Sequence, residues 1–90
     1  MFIIEQSSRF QKDLKRYSHD KKKLQELKRI INYLEKSGIV PKEHNPHPLK
    51  GEYSGAIECH IESDFLLIWI DKTEKTIKLL RLGTHSELFK

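Results

Sequence analysis

An unbroken apolar run at residues 65–70, Phe-Leu-Leu-Ile-Trp-Ile, constrains this chain more than any other feature. The run is far too short to cross a bilayer, and turn-forming residues flank it at 62–64 and 71–75. A strand that is apolar at every position has both of its faces covered. The sequence therefore predicts a central strand with a partner strand on each side.

The partner strands are predicted from the segments beyond the two turns. Residues 56–61 alternate in polarity, which sends alternate side chains to opposite faces of the sheet. Residues 77–82 form a last strand, which is closed by Gly83 and a polar tail. The predicted inward set of the first partner is Ile57, Cys59 and Ile61, and the outward set is Ala56, Glu58 and His60.

Two helices are predicted before these strands. Residues 2–4 could form a short strand, and Ser7 or Ser8 can then cap a helix that ends near Ser18. Asp20 can cap a second helix that Gly38 ends. Two helices followed by three strands predict an α+β fold in one domain, 1–90, with the helices on one face of an antiparallel sheet. The predicted apolar stripes are Phe10, Leu14 and Tyr17 on the first helix, and Leu24, Leu27, Ile30, Ile31 and Leu34 on the second.

Between helices and sheet, prolines and glycines crowd residues 41–55, which predicts a long ordered loop. Such loops are often functional. Tyr53 is its only aromatic residue and could stack on a nucleobase, whereas Trp69 is expected in the core. Lys50 could contact a phosphate or could simply be solvated.

The charge balance favours an anionic partner. Lysine and arginine number 17 against 13 aspartates and glutamates, which gives a net charge of +4. The basic residues of the second helix, at 21–23, 28 and 29, lie off the apolar stripe, so they form either a solvated face or a docking site. Cys59, the only cysteine, excludes an intramolecular disulfide, and no signal peptide or membrane span is recognisable, so a cytoplasmic protein is expected.

Four histidines, at positions 44, 47, 60 and 85, follow the helices. Imidazoles titrate close to neutral pH, so two of them can act as base and acid in RNA cleavage without a metal. Arg81 could stabilise the charge of the phosphorane. Any single histidine could instead be structural. A metal site built from His44, His47, His60 and Asp64 is the rival reading, but Pro46 and Pro48 break the helix that would align the first pair.

Three segments resemble one known family. These are residues 47–55 (His-Pro-Leu-Lys-Gly-Glu-Tyr-Ser-Gly), residues 58–69 with His60 and Asp64, and residues 81–89 with Gly-Thr-His and a final Leu-Phe. In this order and spacing they resemble the YafQ-type toxins of the RelE superfamily. The resemblance covers more than half of the chain, and the two preceding helices fit it.

The resemblance implies a β-α-α-β-β-β fold and an endoribonuclease that cuts messenger RNA, commonly at the ribosome, and is neutralised by a cognate antitoxin. No cofactor and no metal are expected, because the histidines and Asp64 suffice for acid–base phosphotransfer. The implied roles are base or substrate orienter for His60, with Asp64 as its electrostatic partner, and general acid for His85. His47 would contact phosphate. The predicted RNA-binding residues are Lys50 and Tyr53 from the loop, together with Arg81 and Phe89.

Two alternatives remain open. The chain could be a nucleic-acid-binding module without catalysis, or a module whose main role is to bind an antitoxin. The histidine cluster favours the enzyme, because phosphate binding alone would favour arginine and lysine.

Overall fold

The computed structural model describes residues 1–89, which form helices packed against a five-stranded sheet. Along the chain come β1 (Ile3–Gln6), α1 (Ser8–Lys15), α2 (Lys21–Ser37), β2 (His47–Pro48), β3 (Ile57–Glu62), β4 (Phe65–Thr73), β5 (Thr76–Gly83) and α3 (His85–Leu88). Two single turns of 3-10 helix, Lys42–His44 and Gly51–Tyr53, interrupt the predicted loop. The α+β class and the β-α-α-β-β-β order are confirmed, with β2 and α3 as additions.

The sheet order is β1-β5-β4-β3-β2, and β4 lies at its centre as its apolar sequence predicts. All neighbours are antiparallel except β1 and β5, which run parallel. The predicted antiparallel sheet is therefore confirmed, with one parallel pair at its edge. The two helices between β1 and the rest carry the chain across one face, which is the kind of connection that parallel strands require.

The hairpin between β4 and β5 is tighter than predicted. The turn was expected at 71–75, but Asp71 still pairs with Ile77 and Thr73 with Thr76. Residues 71–73 belong to β4 but are exposed. Their backbone pairs with β5 outside the core, and the pattern of apolar residues does not predict this extension.

Helices α1 and α2 both begin at their predicted capping residues, and α2 also ends at its predicted glycine. The Ser7 hydroxyl accepts the Phe10 N–H at 3.0 Å, and Asp20 accepts the Lys23 N–H at 3.1 Å. Helix α1 ends at Lys15, earlier than expected, and turn residues lead on to Asp20. Gly38 ends α2 with φ at 73°, a left-handed conformation that favours glycine, and a Cβ there would lie 2.8 Å from the Phe2 ring.

The main core lies between the helices and one face of the sheet. The opposite face, called here the open face, has a smaller apolar cluster beneath the 49–53 loop and α3. No helix of residues 1–89 is long and apolar enough to span a bilayer. The buried residues of the main core are Phe10, Leu27, Ile30, Leu34, Val40, Cys59, Ile61, Phe65, Leu67, Trp69, Ile77, Leu79 and Leu82.

Candidate active site

Three imidazoles form a row at one end of the open face. His47 on β2 pairs with Glu58 on β3, and His60 follows two residues later on the same face, as strand alternation predicts. The ring centroids of His47 and His60 are 6.2 Å apart, and those of His60 and His85 are 5.8 Å apart. The structure therefore brings together the three histidines proposed from the sequence.

Asp64, in the turn between β3 and β4, contacts His85. Its Oδ1 accepts the His85 backbone N–H at 2.9 Å and lies 2.8 Å from Nδ1 of the same residue. The backbone hydrogen bond, and then the side-chain one, lower the pKa of Asp64. An ionised carboxylate can only accept, so Nδ1 carries the proton and Nε2 of His85 remains the reactive nitrogen.

This pairing corrects an expectation. Asp64 was expected to be the partner of His60, but it hydrogen-bonds to His85, because α3 brings the tail back over the β3–β4 turn. His60 instead has Glu58 nearby, with 3.9 Å between its Nε2 and the Glu58 Oε1.

Glu58 is a site residue that the sequence reasoning missed. It is only 3% exposed, although it belongs to the predicted outward set of its strand. Its Oε1 lies 3.3 Å from Nε2 of His47, and its Oε2 has no hydrogen-bond partner within residues 1–89. The available signal was its position two residues before His60, on the same face of the strand.

The two histidines of the loop, His44 and His47, each hydrogen-bond to a backbone carbonyl. Nδ1 of His47 donates to the Asn45 carbonyl at 2.7 Å, which leaves its Nε2 facing Glu58. Nδ1 of His44 donates to the His60 carbonyl at 2.8 Å. His44 therefore holds the loop against β3 and stands outside the row of imidazoles.

Arg81, which was proposed from the sequence to stabilise the charge of the phosphorane, is buried. Its Nε and Nη2 donate to Asp13 at 2.8 and 3.2 Å, and its Nη1 donates to the Tyr53 hydroxyl at 3.1 Å. The hydrogen bonds to Asp13 are the main cause that raises the pKa of Arg81. The Arg81 side chain is 9% exposed, and its guanidinium is held by Asp13 and in turn holds Tyr53.

Asp13 is the second residue that the sequence reasoning missed. It also accepts the Leu82 N–H at 2.9 Å and is 3% exposed. Its place at three-residue spacing from Phe10 was the available signal, since a carboxylate on an apolar helix stripe needs a buried partner.

Aromatic side chains extend the row of imidazoles. Phe89 lies 6.2 Å from His85 and meets Tyr53 edge to face at 5.8 Å, measured between ring centroids. Phe89 is 42% exposed, and Lys50, at the start of the turn that carries Tyr53, is exposed as well. A nucleobase could stack at this end of the row.

A cation could also bind near these histidines. One ligand atom from each of Glu58, His60 and His85 lies within 4.8 Å of the others. Two imidazoles and a carboxylate suit zinc or copper, and the unpartnered Oε2 of Glu58 fits that role. This set differs from the rival set read from the sequence.

Comparisons with known proteins agree on one family. The profile of the family described as a bacterial toxin of type II toxin-antitoxin system, YafQ, matches residues 2–90. The mRNA interferase toxin YafQ of Escherichia coli K12 is 33% identical over 87 residues, which are 96% of this chain and 94% of that protein.

Solved structures show the same relationship. A mutant of YafQ from E. coli superposes with a TM-score of 0.89 at 31% identity and full coverage of both chains. A metal-bound toxin from Helicobacter pylori has a TM-score of 0.85 at 39% identity, over 99% of this chain and 100% of that one. YafQ in the E. coli DinJ-YafQ complex gives 0.76 at 31% identity, with both chains fully covered. Family profile, sequence and fold thus coincide over nearly the whole length, and this chain belongs to the YafQ toxins of bacterial type II toxin-antitoxin systems.

Proposed function

We propose that this chain is an endoribonuclease that cleaves messenger RNA by acid–base phosphotransfer. The observation that carries the proposal is the row of His47, His60 and His85, with His85 oriented by Asp64. Two imidazoles whose rings are about 6 Å apart can reach the two oxygens on opposite sides of one phosphate. The E. coli relative, an mRNA interferase, supports the choice of substrate.

In the proposed reaction, His60 removes the proton of a ribose 2′-hydroxyl. The resulting oxygen attacks the adjacent phosphorus, and the bond from phosphorus to the 5′-oxygen breaks. His85 protonates that leaving oxygen from Nε2, so the products are a 2′,3′-cyclic phosphate and a 5′-hydroxyl end. His47 contacts the phosphate, whose charge an imidazolium stabilises.

Two carboxylates hold the imidazoles in these roles. Asp64 accepts from Nδ1 of His85 and so fixes its tautomer, which leaves Nε2 to face the leaving oxygen. Oε1 of Glu58 lies 3.3 Å from Nε2 of His47 and 3.9 Å from Nε2 of His60, so it can stabilise positive charge that develops on the base after proton transfer. Tyr53, Phe89 and Lys50 supply stacking and phosphate contact at the end of the row.

We propose that the reaction needs no metal. A nitrogen that ligates a cation cannot at the same time accept or donate a proton, and His60 and His85 would both be ligands. Bound metal should therefore inhibit. Cleavage should survive excess chelator, and a loss of activity in EDTA that a divalent ion restores would contradict this mechanism.

We further propose a cognate antitoxin and action on ribosome-bound messenger RNA. The E. coli DinJ-YafQ complex supports the antitoxin, and the basic surface supports both partners. Lys21, Lys22 and Lys28 on α2 are exposed, whereas Lys23 pairs with Glu62 and Arg29 with Glu26. Binding of the protein encoded by an adjacent reading frame should weaken as salt rises.

The proposed nuclease is tested by controlled expression in a bacterial host, followed by mapping of messenger RNA 5′ ends. The intact chain should create new ends, and His85→Ala should reduce them by about 10²–10⁴, the usual effect of losing a positioned acid. His19→Ala is the matched control, because His19 is exposed and lies outside the site. Parental cleavage by folded His85→Ala and His60→Ala variants would contradict the mechanism and favour a binding module.

A further inference from the structure

The segment that carries His85 is held by two side chains of the turn that follows α1. The Tyr17 hydroxyl donates to Oε1 of Glu87, and Oε2 of Glu87 lies 3.3 Å from Nη1 of Arg16. The Tyr17 ring packs against Phe65 of the main core, with 4.8 Å between ring centroids. Tyr17 therefore connects the core to the short helix on which His85 stands.

Glu87 also hydrogen-bonds to the residue that caps α3. Its Oε1 accepts the Thr84 N–H at 2.9 Å, and the Thr84 hydroxyl oxygen accepts the Glu87 N–H at 3.2 Å. This capping box encloses His85, the first residue of the helix. A Cβ on Gly83 would lie 2.6 Å from Oε1 of Glu87, so the glycine makes room for the carboxylate.

A helix of four residues cannot hold its own geometry, since a single turn lacks the hydrogen bonds that offset its ordering. The position of His85 must therefore come from contacts that reach α3 from outside. Asp64 provides one on the solvent side, and buried Leu88 provides another on the open face. Tyr17 and Arg16 provide the third, from the helix layer.

We propose that Tyr17 and Glu87 are positioning residues for His85, forming a brace that fixes the general acid against the leaving oxygen. The inference rests on the proposed nuclease reaction. Neither side chain contacts His47, His60, Tyr53 or Phe89 through any of the hydrogen bonds or ring contacts described, so the brace acts on the chemical step and not on RNA affinity. A displacement of about 1 Å at a reacting group can cost two orders of magnitude in rate.

Tyr17→Phe isolates the brace, because it keeps the ring against Phe65 and removes only the hydroxyl. In single-turnover and steady-state cleavage of a short RNA, kcat should fall about tenfold with KM unchanged. Tyr33→Phe is the matched control, since Tyr33 lies on α2, half exposed and remote from α3. Combining Tyr17→Phe with Glu87→Ala should cost little more than Glu87→Ala alone, because both remove the same connection.

A second readout does not depend on cleavage. In Tyr17→Phe, amide NMR signals of residues 84–88 should broaden while those of β3 and β4 stay sharp. Parental kcat, a change confined to KM, or broadening spread evenly through the chain would each overturn the brace. If the parental protein fails to cleave RNA, the nuclease proposal fails, and the NMR comparison still decides whether the brace holds α3.

Discussion

Two aspartates in this molecule make nearly the same hydrogen bonds in opposite surroundings. Asp13 accepts the Leu82 N–H and two N–H groups of Arg81, and its side chain is 5% exposed. Asp64 accepts the His85 N–H and lies 2.8 Å from the ring Nδ1 of the same residue, with its side chain 59% exposed. Each carboxylate thus accepts one backbone N–H, from the last residues of β5 or just after them, and also contacts one basic side chain.

The difference shows how one pattern serves two purposes. Arginine stays charged at any pH a protein meets, so burying it opposite Asp13 creates a fixed connection between α1 and β5. Histidine changes charge near neutral pH, and the open position opposite Asp64 leaves its second nitrogen free to exchange protons. The buried pair therefore builds the frame, and the exposed pair is available for chemistry.

The largest effect on stability is expected when the buried pair is broken. Asp13→Ala leaves Arg81 and the Leu82 N–H buried without their acceptor, which should lower the free energy of unfolding by about 3–5 kcal/mol. That loss is a large part of the roughly 5–15 kcal/mol typical of a domain. Urea denaturation measures it, with the exposed Asp71→Ala as control.

A double replacement sharpens the same prediction. Asp13→Leu with Arg81→Met removes both charges and keeps apolar volume, so it should be far more stable than Asp13→Ala. An Asp13→Ala variant that unfolds at the parental urea concentration would mean that the pair does not hold the frame.

Breaking the exposed pair should affect cleavage far more than stability. Asp64→Ala should leave the melting temperature nearly unchanged, because exposed ion pairs contribute little to folding. The rate of RNA cleavage should fall in Asp64→Ala. In the double variant of His85→Ala and Asp64→Ala the rate should fall by less than the product of the two single effects, since the two residues act as one unit. Multiplicative losses in purified variants would show that Asp64 acts independently of His85.

The helix that carries Asp13 and the turn that carries Asp64 could be predicted from the sequence, but the basic residue that each aspartate contacts could not. Local patterns locate Asp13 on the stripe of α1 and Asp64 in a turn, because helix and strand periodicity depend on neighbouring residues. Which basic group each aspartate meets depends on how α1 and the tail dock on the sheet. These contacts join residues 68 and 21 positions apart in the chain.

Glu58 shows the same limit from another side. Strand alternation correctly places it on the face of His60, and polarity then favours exposure. Its burial beside two imidazoles comes from β2, which adds His47 across from it at the sheet edge. A two-residue strand inside a proline-rich loop has no periodicity of its own, so neither β2 nor the burial of Glu58 could be predicted.

The smallest expected effect is a shift in a titration, and it tests what holds Asp64. Hydrogen bonds to its ionised form lower its pKa below the ordinary value of 3.8, the backbone N–H of His85 contributing most and the ring next. For a depressed carboxyl pKa, the stabilisation is present above the unfolded value and is lost as pH falls through the folded one. The Asp64–His85 contact should therefore be complete at neutral pH and fail only in acid. An NMR titration of the Asp64 carboxyl should have its midpoint below 3.8 in the parental protein. In His85→Ala the ring is gone but the backbone donor stays, so the midpoint should rise only part of the way, while His19→Ala should leave it unchanged. A full return to the ordinary value in His85→Ala would mean that the imidazole, and not the backbone of α3, holds the carboxylate in place.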